Sequence, residues 1–412
     1  MAFRILTLVV VFVFSLSLSI FGQSSGVIAY VRGDTEIRTI EPSGANDRRL
    51  WTHPDLNEGL GVFGLAWKPG GGELAFSSAH EATSSLYLAD IYTINADGSG
   101  LLKLTNPPDR SSFAKFPKGS VTVNITNYQD EAKGSNTFIV YVAGADDPQQ
   151  IVLPPGTSKV VTFKSVADFG NHPQPVVAMF GKYRWFLPGV DVHAGRNVAA
   201  PTFVITGKGI DMFGAFRPVW RNDGSRVSYR DGLCIVSSVG IRPVPGEYSF
   251  NPFFGGKNPA GTCTWDWGPT PATANQVIYT ENSAGSNIYQ MTEGGTHPGT
   301  KLVQFSDIDY QLLYDLKWIP DASGLLYSTV NLFRDSANIY RYDFASKKTT
   351  QVTRLEKEFA REFSVSPDSR YLAYERCPTA DEDKGCDIWI AGTDGSKPHL
   401  LVKNGIKPAW GK

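Results

Sequence analysis

Short runs of alternating apolar and polar residues, each closed by Gly, Pro, Asp or Asn, recur along most of this chain. Five segments share one layout: "LAWKPGGGELAFSS" (65–78), "PVWRNDGSRVSYRD" (218–231), "WDWGPTPATANQVIYT" (265–280), "LKWIPDASGLLYST" (316–329) and "FSVSPDSRYLAYER" (363–376). Each predicts one strand, a tight turn and a second strand, because period-two alternation bounded by turn residues suits a half-buried extended chain. From Trp220 through Trp267, Trp318 and Val365 to Trp410 the steps are 47, 51, 47 and 45 residues. A period of that size with paired strands points to a repeat architecture.

A second motif follows inside the units: "DIYTINADGSG" (90–100), "NIYQMTEGG" (287–295), "NIYRYDFASKK" (338–348) and "DIWIAGTDGSK" (387–397), with weaker forms at 36–46 and 233–240. These predict a third strand running through an Asp-Gly-type turn into a fourth, such as "LLKLT" or "TTQVT". Four antiparallel strands per 45–50 residues define the blade of a β-propeller. Complete sets begin at Trp67, Trp220, Trp267, Trp318 and Val365. Residues 26–52 offer strands two, three and four of a further blade, and "KPAW" (407–410) offers its first. The expected fold is therefore all-β, a six-bladed propeller closed by pairing of the N- and C-terminal strands, which removes an open sheet edge.

The repeats resemble those of TolB-type six-bladed propellers, a WD40-like pattern running Trp-Ser-Pro-Asp-Gly, then Asp-Ile-Tyr, then Asp-Gly. "VSPDSRYLAYE" with "DIWIAGTDGSK" is the best instance, and the resemblance spans about 26–106 and 212–412. It implies architecture more than activity, since such propellers serve as binding platforms and as accessory domains of peptidases.

Between "LKLT" (102–105) and "FRPVW" (216–220) the repeat is interrupted. Strands are expected at 120–126, 137–143, 149–153, 159–164, 175–186 and 201–206, without the Trp-x-Pro opening or the Asp-Ile-Tyr strand. This spacing predicts a β-sandwich inserted into a loop, broadly similar to immunoglobulin-like or transthyretin-like modules; two degenerate blades are the competing reading. The expected divisions are a signal peptide at 1–25, propeller at 26–107, insert at 108–210 and propeller at 211–412.

Composition narrows the partners. Thirty-nine basic residues against 40 acidic ones leave a formal charge of -1, too little positive field for nucleic acid. Arg4, the apolar stretch Ile5–Phe21 and small residues at 22–25 read as a secretory signal, placing the protein in the periplasm or outside the cell. An uncleaved N-terminal segment would be its only tie to a membrane. Four cysteines suit that compartment. Cys377 and Cys386 close a loop between two predicted strands and are expected to form a disulfide, while the pairing of Cys234 and Cys263 stays open.

Chemistry is sparse. No G-x-S-x-G elbow is present, and the six histidines (53, 80, 172, 193, 297, 399) have no metal-binding spacing. No metal and no cofactor are expected. The connections from strand two to three and from strand four to the next blade fall on one propeller face and are the long ones, whereas the others are tight. Long loops on a rigid scaffold carry binding. The candidates on that face are His80, Glu81, Phe253, Phe254, Phe333, Arg334, Asp335, Asp381, Glu382 and Asp383. The expectation is a non-catalytic extracytoplasmic protein that binds a protein, peptide or glycan there and through the inserted sandwich. The alternatives are a propeller hydrolase or lyase, an accessory propeller of a peptidase system, and a structural envelope protein. An enzyme would place carboxylates and His at the axis, where the first strands read mainly as Ala, Val, Leu and Trp.

Overall fold

The computed structural model describes residues 26–54, 61–130, 136–231, 234–248, 263–280, 287–296, 298–305, 313–330, 333, 335–380 and 385–412. The expected signal peptide at 1–25 and the candidates Phe253, Phe254, Arg334, Asp381, Glu382 and Asp383 lie outside them. The fold is all-β, with two short 3-10 turns, Ala82–Ser84 and Arg110–Lys115, among the described residues.

Outside the segment 108–211, the described strands form six antiparallel meanders, two of which a parallel bridge from Ala337 to Phe359 joins into one sheet. The terminal sheet joins Val27–Arg32, Glu36–Ile40 and Arg48–Thr52 to Ile406–Gly411. Ile28 pairs with Trp410 and Ala29 with Ala409, so both ends of the described chain share one sheet. Sheet one runs Val62–Trp67, Glu73–Ser78, Asp90–Asn95 and Leu102–Lys103. Sheet two has three described strands, Phe216–Trp220, Arg226–Arg230 and Val236–Gly240. Sheets three, four and five open with Trp265–Trp267, Leu313–Trp318 and Phe359–Val365. The opening strands touch in cyclic order, from sheet one through sheet five to Ile406–Gly411 and back to sheet one.

Three of the repeated tryptophans lock neighbouring sheets through their indoles. Trp220 Nε1 donates to the carbonyl of Ala66 at 3.0 Å, Trp318 Nε1 to that of Asp266 at 3.2 Å, and Trp67 Nε1 to that of Ala409 at 3.1 Å. Each acceptor immediately precedes the tryptophan of the sheet before it. An indole buries a large apolar surface and satisfies its single donor on the next backbone, which a Phe could not do. Where the sheets close in, Gly64 eases a close approach: a Cβ there would lie 3.2 Å from Arg217 Cα.

The segment 108–211 forms two further sheets. Lys118–Asn127 sits between Ser158–Ala167 and the short parallel strands Asn197–Ala199 and Phe203–Ile205. The other sheet orders Gln149–Val152, Thr137–Val142, Gln174–Phe180, Tyr183–Val190 and Ile210–Asp211. The run 175–186, expected as one strand, is a hairpin: Phe180 faces Tyr183 across a two-residue turn, and Gly181 supplies φ +53°. Val121, Val123 and Ile125 alternate inward and bury against Phe138, Val140, Val161, Phe163 and Phe203. That core is continuous with Leu86, Tyr87, Leu104 and Tyr229 of sheets one and two. Phe213 bridges them edge-on, 5.1 Å from Phe186 and 4.9 Å from Tyr87.

Both cysteine pairs are bonded. Cys377–Cys386 is the expected bridge, and Cys234–Cys263, left open by the sequence, is the second.

Candidate functional site

Three connections converge beside sheet one. The link between its second and third strands carries His80 and Glu81, the link from the terminal sheet carries His53, and the start of the inserted segment carries Asp109. The two histidines, 27 residues apart and expected to be unrelated, have ring centroids 5.7 Å apart. Trp51 packs 5.2 Å from the His80 ring and Tyr92 4.5 Å from it. Asp109 caps the turn Arg110–Lys115, accepting the Ser111 amide at 2.8 Å, so the segment 108–211 begins at a fixed carboxylate.

Beneath them lies a buried ionic network. Lys103, 3% exposed, contacts Glu81 Oε2 at 2.7 Å and Asp90 Oδ2 at 3.1 Å. Tyr92 donates its hydroxyl to Glu81 Oε2 at 2.8 Å, and Thr105 and Asn106 donate to Asp90 Oδ1 at 2.7 and 2.8 Å. Burial alone would neutralise Lys103, but Asp90 and Glu81 outweigh it and hold the ammonium charged far above its ordinary range. Burial pushes Glu81 up, and Lys103 more than reverses this, so its carboxylate titrates below the usual value. Burial, with help from Lys103 and His53, pulls His80 down to about 4, leaving a neutral imidazole at neutral pH.

The segment 108–211 is hooked into the same corner. Arg184, 1% exposed, donates through Nη2 to the carbonyls of Ala82 at 2.9 Å and Tyr87 at 3.3 Å, both on the connection that carries His80. The Arg110 amide donates to Glu81 Oε1 at 3.1 Å, and Nε of the same residue reaches the Asp146 carbonyl at 2.9 Å.

Elsewhere among the expected residues, Phe333 stands 82% exposed. Asp335 is also exposed, on the same connection of sheet four. Neither is part of the His80–Glu81 corner.

The axis differs from the sequence expectation. Its cavity, about 380 Å³, is lined by Arg217, Asp266, Asp315, Lys317, Glu362 and Lys407 as well as by apolar residues. Three positions before each closing Trp or Val stand Gly64, Arg217, Thr264, Asp315, Glu362 and Lys407. Most opening strands slip register near this position, a β-bulge that breaks simple alternation and turns the side chain to the axis. Arg217 and Lys407 adopt φ 56° and 55° there, a strained conformation for residues with a Cβ. Arg217 pairs with Asp315 at 2.6 Å, and Lys407 Nζ lies 4.0 Å from Glu362. Burial raises Asp266 to about 6, while burial and the charge of Glu362 raise Glu375, just behind the axis, to about 7.

No protein-family model and no curated protein matches this chain. Similar solved structures include TolB from Acinetobacter baumannii (13% identity, TM-score 0.49, covering 94% of this chain and 67% of that one). A nidogen/laminin complex (9%, 0.46, covering 94% and 98%) and a putative TolB from Agrobacterium tumefaciens (12%, 0.37, covering 92% and 88%) are further neighbours.

Proposed function

We propose that this chain is a non-catalytic, extracytoplasmic binding or scaffold protein: a six-bladed propeller, closed by its terminal strands, that carries an inserted β-sandwich fixed to its long-loop face. The observation that carries this reading is the continuous apolar core between the insert and sheets one and two, reinforced by buried Arg184. A module fastened this way presents one composite surface with little entropy left to lose on binding, which suits recognition of a protein, peptide or glycan. On the long connection of sheet four, Phe333 offers the same face an exposed aromatic anchor. Two disulfides support an oxidising compartment.

The charged groups at the axis are largely engaged with one another, as in Arg217–Asp315, which favours a structural lining over a catalytic one. One observation favours the hydrolase or lyase alternative: buried carboxylates raised toward neutrality, Asp266 and Glu375, are the kind of group that serves as a general acid. Affinity capture from envelope extracts of the producing cells, with the full chain as bait, tests the reading. Phe333→Ala should lose the captured partner, whereas Asp97→Ala, in a tight turn of the opposite face, should keep it. Equal loss in both, or turnover abolished by Asp266→Ala, would sink the binding reading.

A further inference from the structure

One ring nitrogen of His80 and one carboxylate oxygen from each of Glu81 and Asp109 lie within 4.8 Å of one another. We propose that these three side chains bind a divalent first-row transition-metal ion, such as zinc, that clamps the entry of the inserted segment to the rim of sheet one. The site would stand whether or not the surrounding face binds a macromolecule.

The donor set is one imidazole and two carboxylates, which suits zinc and its neighbours better than the all-oxygen cations calcium and magnesium. Each donor is already oriented by a second partner, as metal ligands are. Ser78 Oγ, on a buried residue, sits 3.0 Å from His80 Nδ1 and orients the ring. Lys103 and Tyr92 hold Glu81 through Oε2, while Oε1 accepts the Arg110 amide and retains a second lone pair. The Ser111 amide holds Asp109 through Oδ1, so the carboxylate can ligate through its other oxygen.

Access fits as well. Glu81 is buried but His80 and Asp109 are half-buried, which gives an ion a path from solvent. Glu81, Asp90 and Asp109 outnumber the cations Lys103 and Arg184, leaving a negative surplus for a divalent ion to neutralise. Donors on tetrahedral zinc lie roughly 3.3–3.6 Å apart, given bonds of about 2.0–2.2 Å. Side-chain rotations moving atoms on the order of 1 Å therefore close the set. The other cluster of this kind, Glu375 with Cys377 and Cys386, offers no thiolate because its cysteines are bonded to each other.

The test is calorimetric titration of the full-length, chelator-stripped protein with zinc chloride, followed by melting with and without zinc. A single saturable site and a zinc-dependent rise in Tm are expected. Asp109→Asn and His80→Gln should each weaken zinc binding at least about tenfold, while His399→Gln, exposed and remote, should leave it unchanged. Asp109→Asn keeps the shape of the cap and decides the matter if His80→Gln does not fold. Absence of saturable binding in the parent protein, or parental affinity in Asp109→Asn, would overturn the assignment.

Discussion

Trp67 donates its indole N–H to the carbonyl of Ala409, 342 residues away, at 3.1 Å. The bond ties the first sheet to the strand Ile406–Gly411, which itself pairs with Val27–Arg32. Trp67→Phe keeps much of the apolar contact but leaves that carbonyl without the indole, a loss of about 1 kcal/mol. Removing residues 406–412 strips a whole strand and the 6% exposed Trp410, so it should cost more than the 3–5 kcal/mol typical of a core Trp→Ala change. Denaturant melts of both variants check this. A truncated protein as stable as the parent would show that the terminal pairing does not hold the ring.

The two disulfides enclose loops of different length, with sequence separations of 29 for Cys234–Cys263 and 9 for Cys377–Cys386. In the chain-entropy account, the longer loop contributes about 3–4 kcal/mol and the shorter about 2–3 kcal/mol. Paired Cys→Ser variants should rank in that order by Tm, and non-reducing peptide mapping should recover both bridges. Recovery of a Cys234–Cys377 peptide would contradict the fold around both.

Asp266 gives a pH dependence with a definite sign. Its folded-state pKa, about 6, lies above the 3.8 of a free aspartate, because burial disfavours the carboxylate. The native state therefore binds more protons than the unfolded chain between these values, and stability falls as pH rises through that window. Part of Asp266 meets the axial cavity, so the loss is roughly 1–3 kcal/mol. The stability gap between the parent and Asp266→Asn should shrink in the parent's disfavour from pH 4 to pH 7. A gap that stays constant would mean Asp266 titrates normally.

How much of this could be read in the sequence depends on how local each signal was. The strand pairs around Trp220, Trp318 and Val365 were legible because a turn and its two strands lie within about 14 residues. Four of the charges at the axis, Arg217, Asp315, Glu362 and Lys407, stand three residues before a closing position; they were missed because the first strands were read mainly as Ala, Val, Leu and Trp, and the register slip at that position breaks period-two alternation. His53 and His80 carry no shared spacing motif; only the stacking of the terminal sheet on sheet one brings them together. The Lys103–Glu81–Asp90 network escaped because its partners, separated by 22 and 13 residues, lie on two strands and a connection of sheet one with no shared motif.

That network is a stability hinge in its own right. Lys103→Met leaves Glu81 and Asp90 buried without their cation, a change that costs about 3–5 kcal/mol at neutral pH. The penalty should lessen in acid, because protonating the carboxylates relieves it. Chemical denaturation at pH 7 and pH 5 measures both effects. A variant as stable as the parent at pH 7 would mean that the carboxylates find other partners.

The inserted segment gives the last prediction. Its alternating strands suggest a module that folds alone, and its core of Val121, Val123, Phe138 and Phe163 supports that much. The same core, however, runs on into Leu86, Tyr87, Leu104 and Tyr229 of the ring. Excising 108–211 behind a short Gly-Ser bridge would expose those side chains to water, at about 1.5–3 kcal/mol for each one fully uncovered. It would also remove Arg184, leaving the carbonyls of Ala82 and Tyr87 without their donor. The excised ring should therefore melt well below the full chain and bind a hydrophobic dye, while the isolated insert should show a cooperative transition of its own, weakened by the loss of its seat. The two melts separate the cases. A ring that melts with the parent would mean that the shared core contributes nothing to holding sheets one and two together. An insert with no transition would mean that its strands depend on the ring to fold.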